Sequence, residues 1–343
     1  TNYFSFKQVK MGNKTRLMKA LKVSDLKPSS IILGTSKAEV GYDPNHQYFT
    51  KPSYNLALAA SSMYENKLNF INALNQGNLQ QALLVVDMDI FNTAKNTSIN
   101  GLESYFDNPN IYKYLFSIEM LNDSILTTLG ITNHYRPYLT NGQVHHNYDW
   151  EYIVKQGGHL AYVKDRLSVT RAGMYTTNYT YKNTGKKSFP DFEKVVQLSY
   201  DNNIELDIVF GPLHIIGWRD NYDRWLKFKK DIVVSVNKIA ERNRHKQFRI
   251  MDFSAYHKYT TEPFPIEKNG KMKFHWEESH YKNELGSLVL DRLNGNGKIS
   301  NFGIELNINN IDSYIQKERR NSYKFINNVK FKERILHTVE TIK

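Results

Sequence analysis

The segment Ser30-Ile31-Ile32-Leu33-Gly34-Thr35-Ser36-Lys37-Ala38-Glu39-Val40-Gly41-Tyr42-Asp43 sets the architecture expected of the whole chain. Three apolar residues, Ile31 to Leu33, lie between Pro28-Ser29-Ser30 and Gly34. A short apolar run with turn residues on both sides reads as a buried strand of the kind found in parallel sheets. It ends in Gly-Thr-Ser and passes into fair helix formers. Open α/β sheets carry their chemistry at the carboxyl ends of the strands, which makes Ser36 a candidate nucleophile. The plainer reading is that Thr35 or Ser36 caps the helix that follows. Only a base elsewhere in the chain favours the first.

Outward from this strand the pattern repeats. Ala82-Leu83-Leu84-Val85-Val86-Asp87-Met88-Asp89 reads as a second buried strand, ending in two carboxylates. Further strands are expected at Ile204–Phe210 and Phe248–Phe253, with helices at Met63–Leu74, Pro190–Asp201, Tyr222–Asn243 and Tyr281–Leu293. Strands alternating with helices predict a parallel sheet covered on both faces, an α/β/α sandwich. Residues 1–27 read as a lead-in segment and residues 28–295 as one α/β domain. Residues 134–188, rich in Tyr, Asn, His and Gly, read as an irregular insertion whose length suits a substrate-facing lobe. Residues 296–343 read as a polar helical tail.

Composition narrows the function. The 343 residues contain no cysteine, which excludes disulfides, thiol nucleophiles and thiolate zinc sites. No apolar run approaches the 18 residues of a membrane span. The chain starts at Thr1 without an initiator Met or signal peptide, which suggests that an N-terminal segment has been lost. A net charge of +12 favours anionic polymers or a membrane surface as partners. No zinc-finger, RNP or helix-turn-helix signature accompanies the charge, so no nucleic-acid partner is expected. Asp87 with Asp89, and His145 with His146, are too sparse to hold a metal: the first pair lacks further ligands, and adjacent histidines in an extended chain point apart. No metal or other cofactor is expected.

A serine nucleophile needs a base, and the base needs an orienting carboxylate. Phe274-His275-Trp276-Glu277-Glu278-Ser279-His280 supplies both. Glu277 and His280 are three apart, a spacing at which a tight turn lets the carboxylate reach one ring nitrogen while the other faces a cleft. Glu278 is the competing carboxylate.

The nucleophile after the first strand and the carboxylate-x-x-His near the C-terminus resemble the SGNH (GDSL-like) hydrolases. Tyr54-Asn55-Leu56-Ala57-Leu58-Ala59-Ala60-Ser61 is similar to the second block of that family, and Gly211-Pro212-Leu213-His214 lies where the third belongs. With Val85-Val86-Asp87-Met88-Asp89, Asp252-Phe253-Ser254 and Ser279-His280-Tyr281, the chain resembles extracytoplasmic SGNH-like proteins of bacterial surface-polysaccharide acylation systems. The resemblance implies a flavodoxin-like three-layer fold with a mainly parallel sheet. It also implies a triad of Ser36, His280 and Glu277, and an oxyanion hole from the N–H groups of Ser36 and Ala60 with His214, for which a histidine packed at the strand end is the competing reading. The implied activity is acyl transfer, as an O-acetyltransferase or esterase, on a glycan or other acyl ester. The implied setting is extracytoplasmic, anchored by an N-terminal segment outside this chain and served by a membrane-bound acyl donor protein. Asp87, Asp89, Trp218, Arg219, Tyr256 and Trp276 are the expected substrate contacts, with a structural role the alternative for the two aspartates and core packing the competing role for the aromatics. Four departures stand out. Thr35 replaces the Asp of the first block, Ala60 the Gly of the second, His214 the Asn of the third, and Glu277 the usual Asp. The missing Asn motivates the alternative of an inactive glycan-binding or assembly subunit.

Overall fold

A computed structural model describes residues 11–92, 95–97, 118–129, 138–144, 148–168, 178–218, 221–295, 301–326, 333 and 335. Its centre is a six-stranded sheet ordered β2-β1-β3-β4-β5-β6. The strands are β1 (Ser30–Leu33), β2 (Ser53–Asn55), β3 (Gln81–Val85), β4 (Glu205–Phe210), β5 (Ile250–Asp252) and β6 (Ile304–Glu305). The first five are parallel and β6 pairs antiparallel with β5. Ile31 sits between Tyr54 and Ala82, which fixes the register around β1. The order 2-1-3-4-5 is the flavodoxin-like one, and the strand order reverses between β1 and β3, where such sheets open a crevice. Ser36 lies just beyond β1 at that reversal.

The apolar run behaves as its sequence predicts. Ile31, Ile32 and Leu33 are fully buried, as are Ala82, Leu83 and Leu84 on β3. Each large aliphatic side chain covered in this way stabilises the fold by about 1.5–3 kcal/mol. Right-handed crossovers place α2 (Ser36–Gly41) on one face, and α3 (Met63–Asn75), α7 (Phe189–Asp201) and α8 (Tyr222–Asn243) on the other. α9 (Asn283–Leu293) joins α2.

Both ends of the chain pack onto the α/β domain. Among residues 1–27, α1 (Met11–Leu26) is a packed helix, held by Arg16 to Glu65 at 2.6 Å and Lys19 to Glu39 at 3.1 Å. Beyond residue 295, β6 extends the sheet and α10 (Ile311–Ile326) covers it, burying Ile311 and Tyr314. The Tyr314 hydroxyl and Lys229 Nζ both bond buried Asp252. The polar character of this region concealed a few well-spaced core residues. Within the second block β2 ends at Asn55, and Leu56 to Ser62 form a loop that leads into α3. Two short helices, α5 (Tyr148–Lys155) and α6 (His159–Ser168), lie within the insertion, and α4 (Ile118–Thr128) precedes it.

Candidate active site

Three local features bring Ser36 and His280 together. First, Gly34 ends β1 at φ +146°, and a Cβ there would stand 2.8 Å from that of Ala38 and 3.0 Å from the Val85 carbonyl oxygen. The chain can therefore turn tightly from strand into α2 only with glycine. Second, α2 and α9 cross at glycines. A Cβ on Gly286 would lie 1.7 Å from the Gly41 carbonyl oxygen, and one on Gly41 would enter the Tyr281 ring. Third, the loop before α9 closes on itself through His275 pairing with Tyr281, the Trp276 N–H donating to the His280 carbonyl at 2.9 Å, and the Lys282 N–H to Phe274 at 2.8 Å. Glu277, Glu278 and Ser279 form its tip.

At the meeting point Ser36 Oγ lies 2.8 Å from His280 Nε2, and His280 Nδ1 hydrogen-bonds Glu277 Oε1. An ionised carboxylate only accepts, so Nδ1 carries the proton and Nε2 is left to accept from the serine hydroxyl. Glu277 also accepts from the Ser279 N–H at 2.8 Å and from its Oγ at 2.8 and 2.9 Å. Burial would push this carboxyl up. The His280 ring bonded to it and the Arg166 guanidinium nearby reverse that and hold it well below the usual carboxylate range. The neighbouring Glu278 is pushed the other way, by burial and then by the Glu277 charge. The i,i+3 pairing thus falls to Glu277.

The competing capping role of Thr35 and Ser36 is not taken up. Thr35 occupies the cap position of α2 without a side-chain cap bond, and its hydroxyl donates instead to Asp87 at 3.2 Å. α2 has six residues, so it adds little of the N-terminal field of a long helix. Lys37 Nζ reaches Asp87 at 2.9 Å and also bonds Asp89. The two carboxylates expected to contact substrate therefore tie the end of β3 to the start of α2. Among the described residues no three His, Asp or Glu side chains gather as metal ligands, and His145 and His146 lie outside them.

Ala60 lies in the loop that follows β2. Its loop is pinned to the end of β1 by the Leu58 N–H and Ser61 Oγ, both donating to the Gly34 carbonyl at 3.1 and 2.9 Å. The Ser61 N–H returns to the Leu58 carbonyl, closing a turn in which Ala60 is exposed at φ +56°. This left-handed conformation is one that glycine takes freely and alanine at a cost of about 1–2 kcal/mol. His214 is different. Its Nε2 bonds the Glu262 carbonyl at 2.8 Å, and its Nδ1 accepts from the Ile216 N–H at 3.4 Å. With both nitrogens engaged and the ring fully buried, it has no donor for an oxyanion, and that expectation is corrected.

The aromatic residues divide likewise. Trp218 is buried and stacks on Trp225 with centroids 4.2 Å apart, so it belongs to the core rather than to a sugar platform. Tyr256 packs edge-on against Tyr222. Arg219 lies outside the described residues. Trp276, by contrast, lines a cavity of about 230 Å³ with Tyr152, Ile153, Tyr162, Arg166, Glu277 and His280. The insertion supplies four of these walls. Arg166, Ser279, Tyr152 and Tyr162 were not among the sequence candidates. Only Ser279, a hydroxyl between the carboxylate and the histidine, carried a local signal. Neither the models of known protein families nor the curated proteins include a match to this chain.

Proposed function

We propose that this protein is a serine-dependent acyl-transfer enzyme of SGNH type that acts on a surface glycan, as an O-acetyltransferase or esterase. The reading is carried by the continuous hydrogen-bonded chain Ser36–His280–Glu277, which gives a serine hydroxyl a base and the base an orienting anion. Ser36 Oγ attacks the ester carbonyl carbon while its proton passes to His280 Nε2. Glu277 stabilises the imidazolium. The N–H groups of Ser36 and Ala60 face the developing oxyanion, a type of contact worth roughly 3 kcal/mol per donor. The intermediate collapses, His280 returns the proton to the departing alcohol oxygen, and the acyl group stays on Ser36. His280 then takes a proton from water or a sugar hydroxyl as its oxygen attacks the acyl carbon, and gives that proton to Ser36 Oγ as the acyl–Oγ bond breaks.

Because His280 handles the alcohol oxygens, the cavity at its side takes the alcohol and acceptor part of the substrate. Its walls of Tyr152, Tyr162 and Trp276 suit a sugar ring. The charge of +12 suits an anionic glycan. The extracytoplasmic setting and a membrane-bound acyl donor follow from the same reading. The closed-off His214 favours one alternative, a non-catalytic glycan-binding subunit, because it leaves two oxyanion donors instead of three.

Intact-mass spectrometry after incubation with p-nitrophenyl acetate separates the two. Wild type is expected to gain one acetyl group and Ser36→Ala none. No adduct and no nitrophenol release from wild type would favour the binding subunit.

A further inference from the structure

Glu277 and Glu278 are neighbouring carboxylates, 6% and 2% exposed, and one guanidinium reaches both. Arg166 Nε donates to Glu278 Oε1 at 2.5 Å, and its Nη2 lies 3.8 Å from Glu277 Oε2. Arg166 comes from α6 in the insertion, 112 residues before Glu278. Its position is set by Tyr162 one turn earlier: Nη1 donates to the Tyr162 hydroxyl at 3.3 Å, and the guanidinium lies 5.4 Å from the ring centre.

Buried charges must nearly balance, because an uncompensated one costs several kcal/mol or more. Glu277 is ionised to serve His280, and Arg166 matches that charge. Glu278 is then the carboxyl pushed toward its protonated form, by burial and by the Glu277 charge, with the bonded guanidinium working against both. Among the described residues the surrounding groups do not supply a second cation. Tyr152 and Tyr162 are phenols from α5 and α6. His159 at the start of α6 and His214 are both depressed by burial, to about 4 and about 3. His275 is paired with Glu262 at 3.2 Å. Lys282 points its Nζ to the Met272 carbonyl at 2.5 Å, over the Trp276 ring. Ser279 is neutral.

We infer that Arg166 is a positioning residue for the Ser36–His280–Glu277 relay: it holds the Glu277–Glu278 pair at one net negative charge, so that helix α6 of the insertion completes the site. The inference takes its purpose from the acyl-transfer reading, but its test does not need turnover. Without the guanidinium the cluster has one negative charge too many. Glu278 is already pushed toward its protonated form and Glu277 is held ionised, so the excess charge is expected to be met at His280.

The measurement is an NMR titration of the His280 ring resonances in wild type, Arg166→Met, Arg166→Lys and Glu278→Gln. An opposite charge within about 4–6 Å typically moves a titration by 1–3 units. The midpoint is therefore expected to rise by about one unit or more in Arg166→Met and to stay near wild type in Arg166→Lys, which keeps the charge. An unchanged or lowered midpoint in folded Arg166→Met overturns the inference. Glu278→Gln copies the neutral carboxyl and is expected to leave the midpoint in place; a fall of about one unit there overturns the charge count even if Arg166→Met does not fold. Wild-type acetylation of Ser36, run in parallel, reports on the acyl-transfer reading separately.

Discussion

Two loops leave the carboxyl ends of neighbouring parallel strands, and each carries a histidine. The loop after β4, residues 211–218, buries His214 against Phe264 and His275 and commits both ring nitrogens to backbone groups. The loop after β5, residues 274–281, leaves the His280 side chain 28% exposed, with one nitrogen on a carboxylate and the other on a serine hydroxyl. Both loops follow parallel strands along the chain, and the chemical capacity of their histidines is opposite. What separates them is the partner of the second nitrogen. A carboxylate fixes the tautomer and leaves Nε2 free to exchange a proton, whereas two backbone partners turn the ring into a rigid cross-link.

The comparison breaks most visibly at Glu277. Glu277→Gln keeps the shape but removes the anion that fixes the tautomer and stabilises the imidazolium. The acylation rate with p-nitrophenyl acetate is expected to fall by about 10³–10⁴-fold, by analogy with the loss when a triad carboxylate becomes an amide. A loss below about tenfold would mean that His280 does not depend on Glu277. The next effect is at Ala60. Valine at a left-handed position is strained, so Ala60→Val should turn the N–H away from the oxyanion and cost about 10²-fold in acylation, the value of one donor. Ala60→Gly relieves the backbone and should keep the rate within about twofold. Equal rates in both variants would remove Ala60 from the oxyanion hole.

What the sequence made legible is what depends on near neighbours. Helix α8 runs from Tyr222 to Asn243 as its apolar spacing predicts, and β3 follows the apolar run before Asp87. Glu277 and His280 were legible because a three-residue spacing leaves little choice of geometry. Arg166 was not, being one of 46 Lys and Arg residues and meeting Glu278 only through the fold. Asp87 looked like a substrate contact because a strand-end carboxylate is ambiguous until its partner, Lys37, is seen. Trp218 and His214 erred in the same direction. Each lies just past a strand end, and whether such a side chain turns outward or into the core is set by distant residues, Trp225 for one and Glu262 for the other.

His214→Gln sharpens the quiet half of the comparison. Glutamine can still donate to the Glu262 carbonyl and accept from the Ile216 N–H, so the loop should keep its shape and acylation should stay within about threefold. The variant should differ from wild type in acid. Burial, reinforced by the neighbouring His275, lowers the His214 ring to about 3, whereas an unfolded histidine titrates near 6.5. At neutral pH both states are unprotonated there and the group costs nothing. As pH falls below about 6.5 the unfolded chain takes up a proton that the folded one refuses, and stability is lost progressively down to about 3. Denaturant unfolding measured at about pH 7, 5.5 and 4.5 should therefore show a shallower loss in His214→Gln, by up to about 1.4 kcal/mol per pH unit, the value of one proton. Identical slopes would mean that His214 takes up a proton in the folded state as readily as in the unfolded chain. The two strand-end loops would then not differ in the way their hydrogen bonds indicate.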